Sequence, residues 1–271
     1  MPVLEHNGVR LSYDVTGTGA PVIFVQGVGI HGSGWRPQVD ALRARFTCLT
    51  FDNRGIGRSS PVRRLTVEQM AGDVLALMDA CGWADAHLVG HSLGGLVALR
   101  VALAARGRVR SLALLCTFAR GRDAARSARM VWLGTRSRVG TRAMRRRAFL
   151  GIVLPPEALA SGDLAAIAAG LAPIFGHDLA DHPAVEMAQL KAMRREDVTA
   201  ELPRLAGVPT LVVSARHDPI APPALGRAIA DGIPGARYEL LEHTSHGAPI
   251  HDADRVNALL LEHFERVAVA T

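Results

Sequence analysis

Gly90-His91-Ser92-Leu93-Gly94 sets a hydroxyl between two glycines, each two residues away, with Gly95 following directly. This G-x-S-x-G spacing suits a serine presented on a sharp strand-to-helix turn, where side chains two residues either side would have no room. Such a turn lifts Oγ clear of the backbone and aims the following N–H groups and the helix N-terminus at a reaction centre. A serine hydroxyl is a weak nucleophile, so it needs a general base within hydrogen-bond reach: a histidine oriented by a carboxylate. His246, in Ser245-His246-Gly247, and Asp218, in His217-Asp218-Pro219, are placed for those roles. His91 adjoins the serine, but neighbouring side chains on such a turn point apart, and it is expected to pack under the turn. His217, His243 and His251 are rival bases and Asp123 a rival acid. The small neighbours on both sides of His246 suit a catalytic loop.

The elements that must position these residues alternate. Short apolar runs interleave with helical patterns, the signature of a mainly parallel sheet covered by helices on both faces. Asn7-Gly8 predicts a tight hairpin between Val3 to His6 and Val9 to Val15. Pro21 to Val25 and Phe46 to Phe51 read as buried strands. Thr66 caps a helix with Gln69 as its capping-box partner, and Val67, Met70, Val74, Leu77 and Met78 give it one apolar face. Gly82 stands where that helix would end. The strand Ala86 to Val89 feeds Ser92, with a helix from Leu93, and Val109 to Cys116 is the next strand. Strand patterning then stops from about 121 to 205, a stretch read as helical with breaks at Pro155-Pro156, Gly162 and Pro173. It resumes with Val208 to Ser214, which delivers Asp218 at its end. A helix from Pro222, a strand Tyr238 to Leu241, the His246 loop and a last helix from Asp252 follow. The expected organisation is therefore a core of 1–120 and 206–271, interrupted after its sixth strand by a helical cap of 121–205.

The 271 residues suffice for one such domain with an insertion. No apolar run reaches the roughly 18 residues of a membrane span, and Met1 to His6 lacks a signal-peptide pattern, so a cytoplasmic protein is expected. Cys48, Cys81 and Cys116 are too few and too scattered for a disulfide framework or a metal site. The net charge is +6, and the 31 Lys+Arg include a single lysine, Lys191. Arginines gather at 120, 122, 126, 129, 136, 138, 142, 145, 146 and 147. They read as a solvated helix face or as a landing surface for an acidic substrate, carrier or membrane. No aromatic interleaving accompanies them, so nucleic acid is not expected as a partner.

With these motifs in place, the sequence resembles the α/β-hydrolase fold superfamily, in the branch of esterases, lactonases and cofactor-free haloperoxidase-like enzymes. The resemblance covers nearly the whole chain outside the cap. Asp52-Asn53-Arg54-Gly55-Ile56-Gly57-Arg58-Ser59 looks like the family's D-x-R-G-x-G-x-S turn. Val208 through Asp218-Pro219-Ile220 looks like its acid-bearing strand end, and Ile233-Pro234-Gly235-Ala236 followed by Ser245-His246 like its histidine region. The resemblance implies an eight-stranded, mostly parallel sheet and the chain order serine, acid, histidine, here Ser92, Asp218 and His246. It implies an oxyanion hole from the N–H groups of Val28, in Gln26-Gly27-Val28-Gly29, and of Leu93. Gln26 stands where the family usually has histidine, and Ser245 where it commonly has glycine; both are departures.

The function implied is hydrolysis of a carboxylic ester or related acyl substrate through an acyl-enzyme, with no metal or organic cofactor. Lactonases, thioesterases, C–C bond hydrolases and perhydrolases share the same three residues. Dehalogenases and epoxide hydrolases carry aspartate at the nucleophile, and Ser92 argues against both. An acyltransferase or cyclase, or a non-catalytic binding protein of the same fold, are the readings from other classes. Met130, Trp132, Phe149, Leu171 and Phe175 are expected to line an apolar substrate pocket beneath the cap, though the same residues would equally serve as helix-packing core. The expected partner is a largely apolar small acyl compound, without stable membrane insertion. The oligomeric state stays open, a homodimer included.

Overall fold

The computed structural model describes residues 2–270. Asn7 and Gly8 take left-handed φ values of 48° and 73° and close a two-residue hairpin between β1 (Val3–His6) and β2 (Val9–Gly17). The remaining strands are β3 (Ala20–Val25), β4 (Phe46–Phe51), β5 (Ala86–His91), β6 (Val109–Leu115), β7 (Thr210–Ala215) and β8 (Arg237–Leu241). They form one eight-stranded sheet in the order β1-β2-β4-β3-β5-β6-β7-β8. β2 is antiparallel to both its neighbours and the other pairings, from β4 to β8, are parallel.

The helices are α1 (Arg36–Leu42), α2 (Val67–Ala80), α3 (Leu93–Ala104), α4 (Ala128–Arg136), α5 (Arg142–Val153), α6 (Pro156–Ser161), α7 (Leu164–Phe175), α8 (Glu186–Arg195), α9 (Pro223–Gly232), α10 (Ala248–His251) and α11 (Ala253–Ala270). Apolar residues of α2, α3 and α9 pack on one face of the sheet, and those of α1 and α11 on the other. The strands between them are buried on both faces: Val22, Ile23, Phe24, Leu88, Val89, Leu112 and Val212 have no exposed surface. Each such side chain contributes about 1.5–3 kcal/mol relative to exposure. Thr66 accepts a bond from the Gln69 N–H at 3.2 Å while the Gln69 side chain accepts from the Thr66 N–H at 3.0 Å, so the capping box of α2 is complete.

Helices α4 to α8 fall between β6 and β7. Pro155 and Gly162 bound α6, but Pro173 does not break the chain as the sequence suggested. It lies inside the last turn of α7, which runs on to Phe175 and stops at Gly176, φ 85°. So near the C-terminus a proline removes only one helical bond. Three arginines of the rich stretch pair with acids of the same insertion: Arg142 with Asp178 and Asp181, Arg146 with Asp178, Arg138 with Glu186. The Arg146 guanidinium, with the Ala180 N–H and Arg142, holds the Asp178 carboxyl well below the usual carboxylate range. Among the described residues no helix is long and apolar enough to cross a membrane.

Candidate active site

Ser92 sits between β5 and α3 with φ 55° and ψ −121°, a conformation few non-glycine residues adopt. Strain of this kind costs on the order of 1–3 kcal/mol and persists only where its surroundings impose it. The surroundings are specific. A side chain at Gly90 would overlap the Gly94 carbonyl, one at Gly94 the Val25 carbonyl, and one at Gly95 would lie 2.6 Å from Thr117. The Ser92 N–H donates to Leu115 O at 3.0 Å, and its carbonyl accepts from Thr117 Oγ1 at 2.6 Å. Leu93 opens α3, so its N–H belongs to the first turn that a helix leaves unpaired.

The loop after β3 comes close from the other side: a Cβ on Gly27 would stand 3.1 Å from Ser92 Cβ. The Gln26 side chain is buried and its Oε1 accepts from the Gly27 N–H at 3.0 Å, while its carbonyl accepts from Asn53 Nδ2 at 3.1 Å. Glutamine in this position therefore orders the loop. Gly29 N–H donates to Gln189 Oε1 at 2.9 Å, so Val28 stands between two residues whose N–H groups are engaged. The D-x-R-G-x-G-x-S turn braces the same loop, since Asp52 Oδ1 accepts from the Gly32 N–H at 2.9 Å. Within that turn Arg54 makes a bidentate pair with Asp73, Nε to Oδ2 at 2.7 Å and Nη2 to Oδ1 at 2.6 Å. Both are almost fully buried, so losing one partner would cost about 3–5 kcal/mol.

At the far end of β7, Asp218 divides its two oxygens. Oδ1 accepts from the N–H groups of Ile220 and Ala221 at 2.8 and 2.9 Å, and Oδ2 accepts from His246 Nδ1 at 2.8 Å. Both residues are buried. The ring of His91 lies 4.7 Å from that of His246, and its Nε2–H donates to the His246 carbonyl at 2.8 Å. His91 thus does not simply pack beneath the turn: it joins the nucleophile's turn to the histidine loop. Burial, reinforced by His246, pushes it down to about 3, so it is neutral and a fixed donor at ordinary pH. Of the rivals, His243 and His251 are exposed, and Asp123 pairs with Arg120 and Arg126. Cys116 is buried beside Asp218, and burial together with that carboxylate pushes its thiol well up, which keeps it protonated and inert. Among the described residues no group of three His, Cys, Asp or Glu side chains is arranged to hold a metal ion.

The helices inserted between β6 and β7 share an apolar cluster that includes Leu133, Leu150, Ile152, Val153 and Phe175 and meets these loops at Ile30, Ile220 and Ile250. Phe149 stands edge-on to Phe175, centroids 5.3 Å apart, and Met130 and Leu171 pack against the same cluster. Trp132 does not. It is 61% exposed on α4, whose buried residue is Leu133, so the helix phase turns residue 132 to solvent and the expected pocket residue is corrected. Ser245 is fully buried, and its hydroxyl lies 3.0 Å from both Ile152 O in the cap and His217 O in the acid loop. The Gly247 N–H donates to Val153 O at 2.9 Å. These ties, like that of Gln189 to the loop after β3, carry no local sequence signal.

The α/β hydrolase fold family matches residues 20–140. A provisionally named carbamate hydrolase, RutD, of Azorhizobium caulinodans is 30% identical over 264 residues, spanning 96% of this chain and 97% of that protein. Among solved structures, the enol-lactonase from Burkholderia xenovorans LB400 is 30% identical with a TM-score of 0.82 and covers 97% of this chain and 100% of its own. A thermophilic esterase from Thermogutta terrifontis is 27% identical with a TM-score of 0.80, covering 98% and 97%. A serine on a strained strand-to-helix turn, a single parallel sheet and end-to-end likeness to hydrolases converge on one assignment: the chain belongs to the α/β-hydrolase fold superfamily.

Proposed function

We propose that this protein is a serine hydrolase that cleaves a carboxylic ester or a related acyl substrate by way of an acyl-enzyme. The observation that carries this reading is the bond from His246 Nδ1 to Asp218 Oδ2, 2.8 Å, on a loop that His91 joins to the turn holding Ser92 at φ 55°. With Nδ1–H donated to the carboxylate, Nε2 is the atom free to take a proton. Ser92 Oγ attacks the acyl carbon and its proton passes to His246 Nε2. The tetrahedral oxyanion is met by the N–H groups of Val28 and Leu93, and the leaving alcohol departs with the proton from His246. Water then attacks the acyl-enzyme, gives its proton to the same nitrogen, and the acid leaves as Ser92 is restored. This route needs no metal or organic cofactor.

The apolar cluster over the site favours a substrate whose acyl part is largely apolar. A lactone presents the same acyl carbon, and the likeness to an enol-lactonase favours cyclic esters as the second class to assay. Ser92→Ala should abolish hydrolysis of p-nitrophenyl esters and of lactones while leaving the circular dichroism spectrum intact. A fluorophosphonate probe should give one adduct, on Ser92, by mass spectrometry. Full activity in Ser92→Ala, or an adduct elsewhere only, would overturn the reading.

A further inference from the structure

Gly29 lies one residue past Val28, and both of its peptide groups are taken up by the cap. Its N–H donates to Gln189 Oε1 on α8 at 2.9 Å, and its carbonyl accepts from His177 Nε2–H, just beyond α7, at 3.1 Å. Two more bonds continue along the loop: the His31 N–H donates to Phe175 O at 3.2 Å, and Ser33 Oγ donates to Ile174 O at 2.9 Å. Gly29 has φ 78°, a conformation that local preference does not enforce, so the turn must be held from outside. The chain enters the cap side of this clamp through Gly176, φ 85°, where any side chain would overlap the His31 ring. Asp178, the next residue along the chain, is anchored by Arg142 and Arg146.

Gln189 is fully buried, and its Nε2 has no hydrogen-bond partner among the described residues. Burying an amide with its donor unpaired costs free energy that an aliphatic side chain of equal length would not. Core packing therefore does not account for glutamine here, whereas the bond from the Gly29 N–H does.

We propose that Gln189 and His177 are positioning residues that set the oxyanion loop from the cap, so that the Val28 N–H is aimed by helices inserted far along the chain. The inference rests on the serine-hydrolase reading above. Neither side chain touches the reacting atoms. A donor aimed slightly wrong loses most where charge develops on the oxygen, and little in ground-state binding. Cutting either bond should thus lower kcat and leave KM almost alone.

Gln189→Met keeps length and packing but removes the acceptor. His177→Phe removes the donor, and His177→Gln restores an N–H near the same place. Gln189→Met and His177→Phe should each lower kcat about 10- to 100-fold, less than the 10²–10³ of a donor lost outright. KM should stay within about twofold, and affinity for an aryl trifluoromethyl ketone, which forms the oxyanion on Ser92, should fall by the same factor as kcat. His177→Gln should recover most of the loss. Met187→Ala, an exposed neighbour on α8, should match wild type. Wild-type kcat and ketone affinity in Gln189→Met, or equal losses in His177→Gln and His177→Phe, would overturn the inference. If Gln189→Met does not fold, the two His177 variants decide by themselves. Fluorophosphonate labelling of wild-type Ser92 is read first. Its absence would bring down the hydrolase reading and this inference together, whereas labelling with unaffected variants would remove only the inference.

Discussion

Asp218 spends one oxygen on the scaffold and the other on the imidazole. The two backbone donors on Oδ1 fix the carboxylate plane, so Oδ2 reaches His246 without a search among rotamers. That division makes the effect of Asp218→Asn specific. The amide oxygen can keep the bonds from Ile220 and Ala221, which turns its NH₂ towards His246 Nδ1. An NH₂ can only donate there, so the imidazole must carry its proton on Nε2, where it can no longer accept one from Ser92. The expected result is a fall in kcat on the order of 10⁴, with the urea midpoint near that of wild type. A variant within tenfold of wild-type kcat would show that the carboxylate does not set the tautomer.

At the scale of elements, the site is three loops from one sheet edge, each tied to the inserted helices. Ser245 is the tie for two of them, because its hydroxyl faces carbonyls of α5 and of the acid loop at once. Ser245→Ala leaves both carbonyls without it, which should cost about 1–3 kcal/mol. A urea titration measures that loss, and unchanged stability would mean that the contacts are incidental. The contrast between what was readable in the sequence and what was not follows from range. The Asn7-Gly8 hairpin, the Thr66–Gln69 capping box and the glycines around Ser92 are decided by residues within a few positions, so local chemistry predicts them. Asp218 and His246 were legible because strand ends put them at the same edge. Gln189 reaches Gly29 across a separation of 160 residues and His177 across 148, and neither has a motif to mark it. Trp132 departs from expectation for a related reason: an apolar residue on an inserted helix faces inward or outward according to helix phase, and Leu133 sets that phase in α4.

For the molecule as a whole, the sheet face covered by α1 and α11 has its own polar burden. His87 on β5 is almost fully buried, its Nδ1 2.8 Å from Ser111 Oγ and its ring centroid 4.4 Å from that of Phe264 on α11. Burial, helped by Arg110 and His263, pushes it down to about 3, and burial pushes His263 down to about 4. In the unfolded chain a histidine takes up its proton near 6.5. Between that value and the folded one the unfolded state binds more protons, so stability is full above about pH 6.5 and falls as the pH drops through the window. Because the folded value of His87 lies well under 5, its contribution at pH 5 depends mainly on the unfolded reference. Acidification from pH 7 to 5 should cost about 2 kcal/mol through this residue. His87→Gln can still face Ser111 but cannot be protonated, so its unfolding free energy should decline by that much less than wild type over the same interval. Urea titrations of both proteins at pH 7 and pH 5 measure the difference. Parallel declines would mean that His87 is protonated in the native state as readily as in the unfolded one, and that β5 and α11 do not exclude its charge.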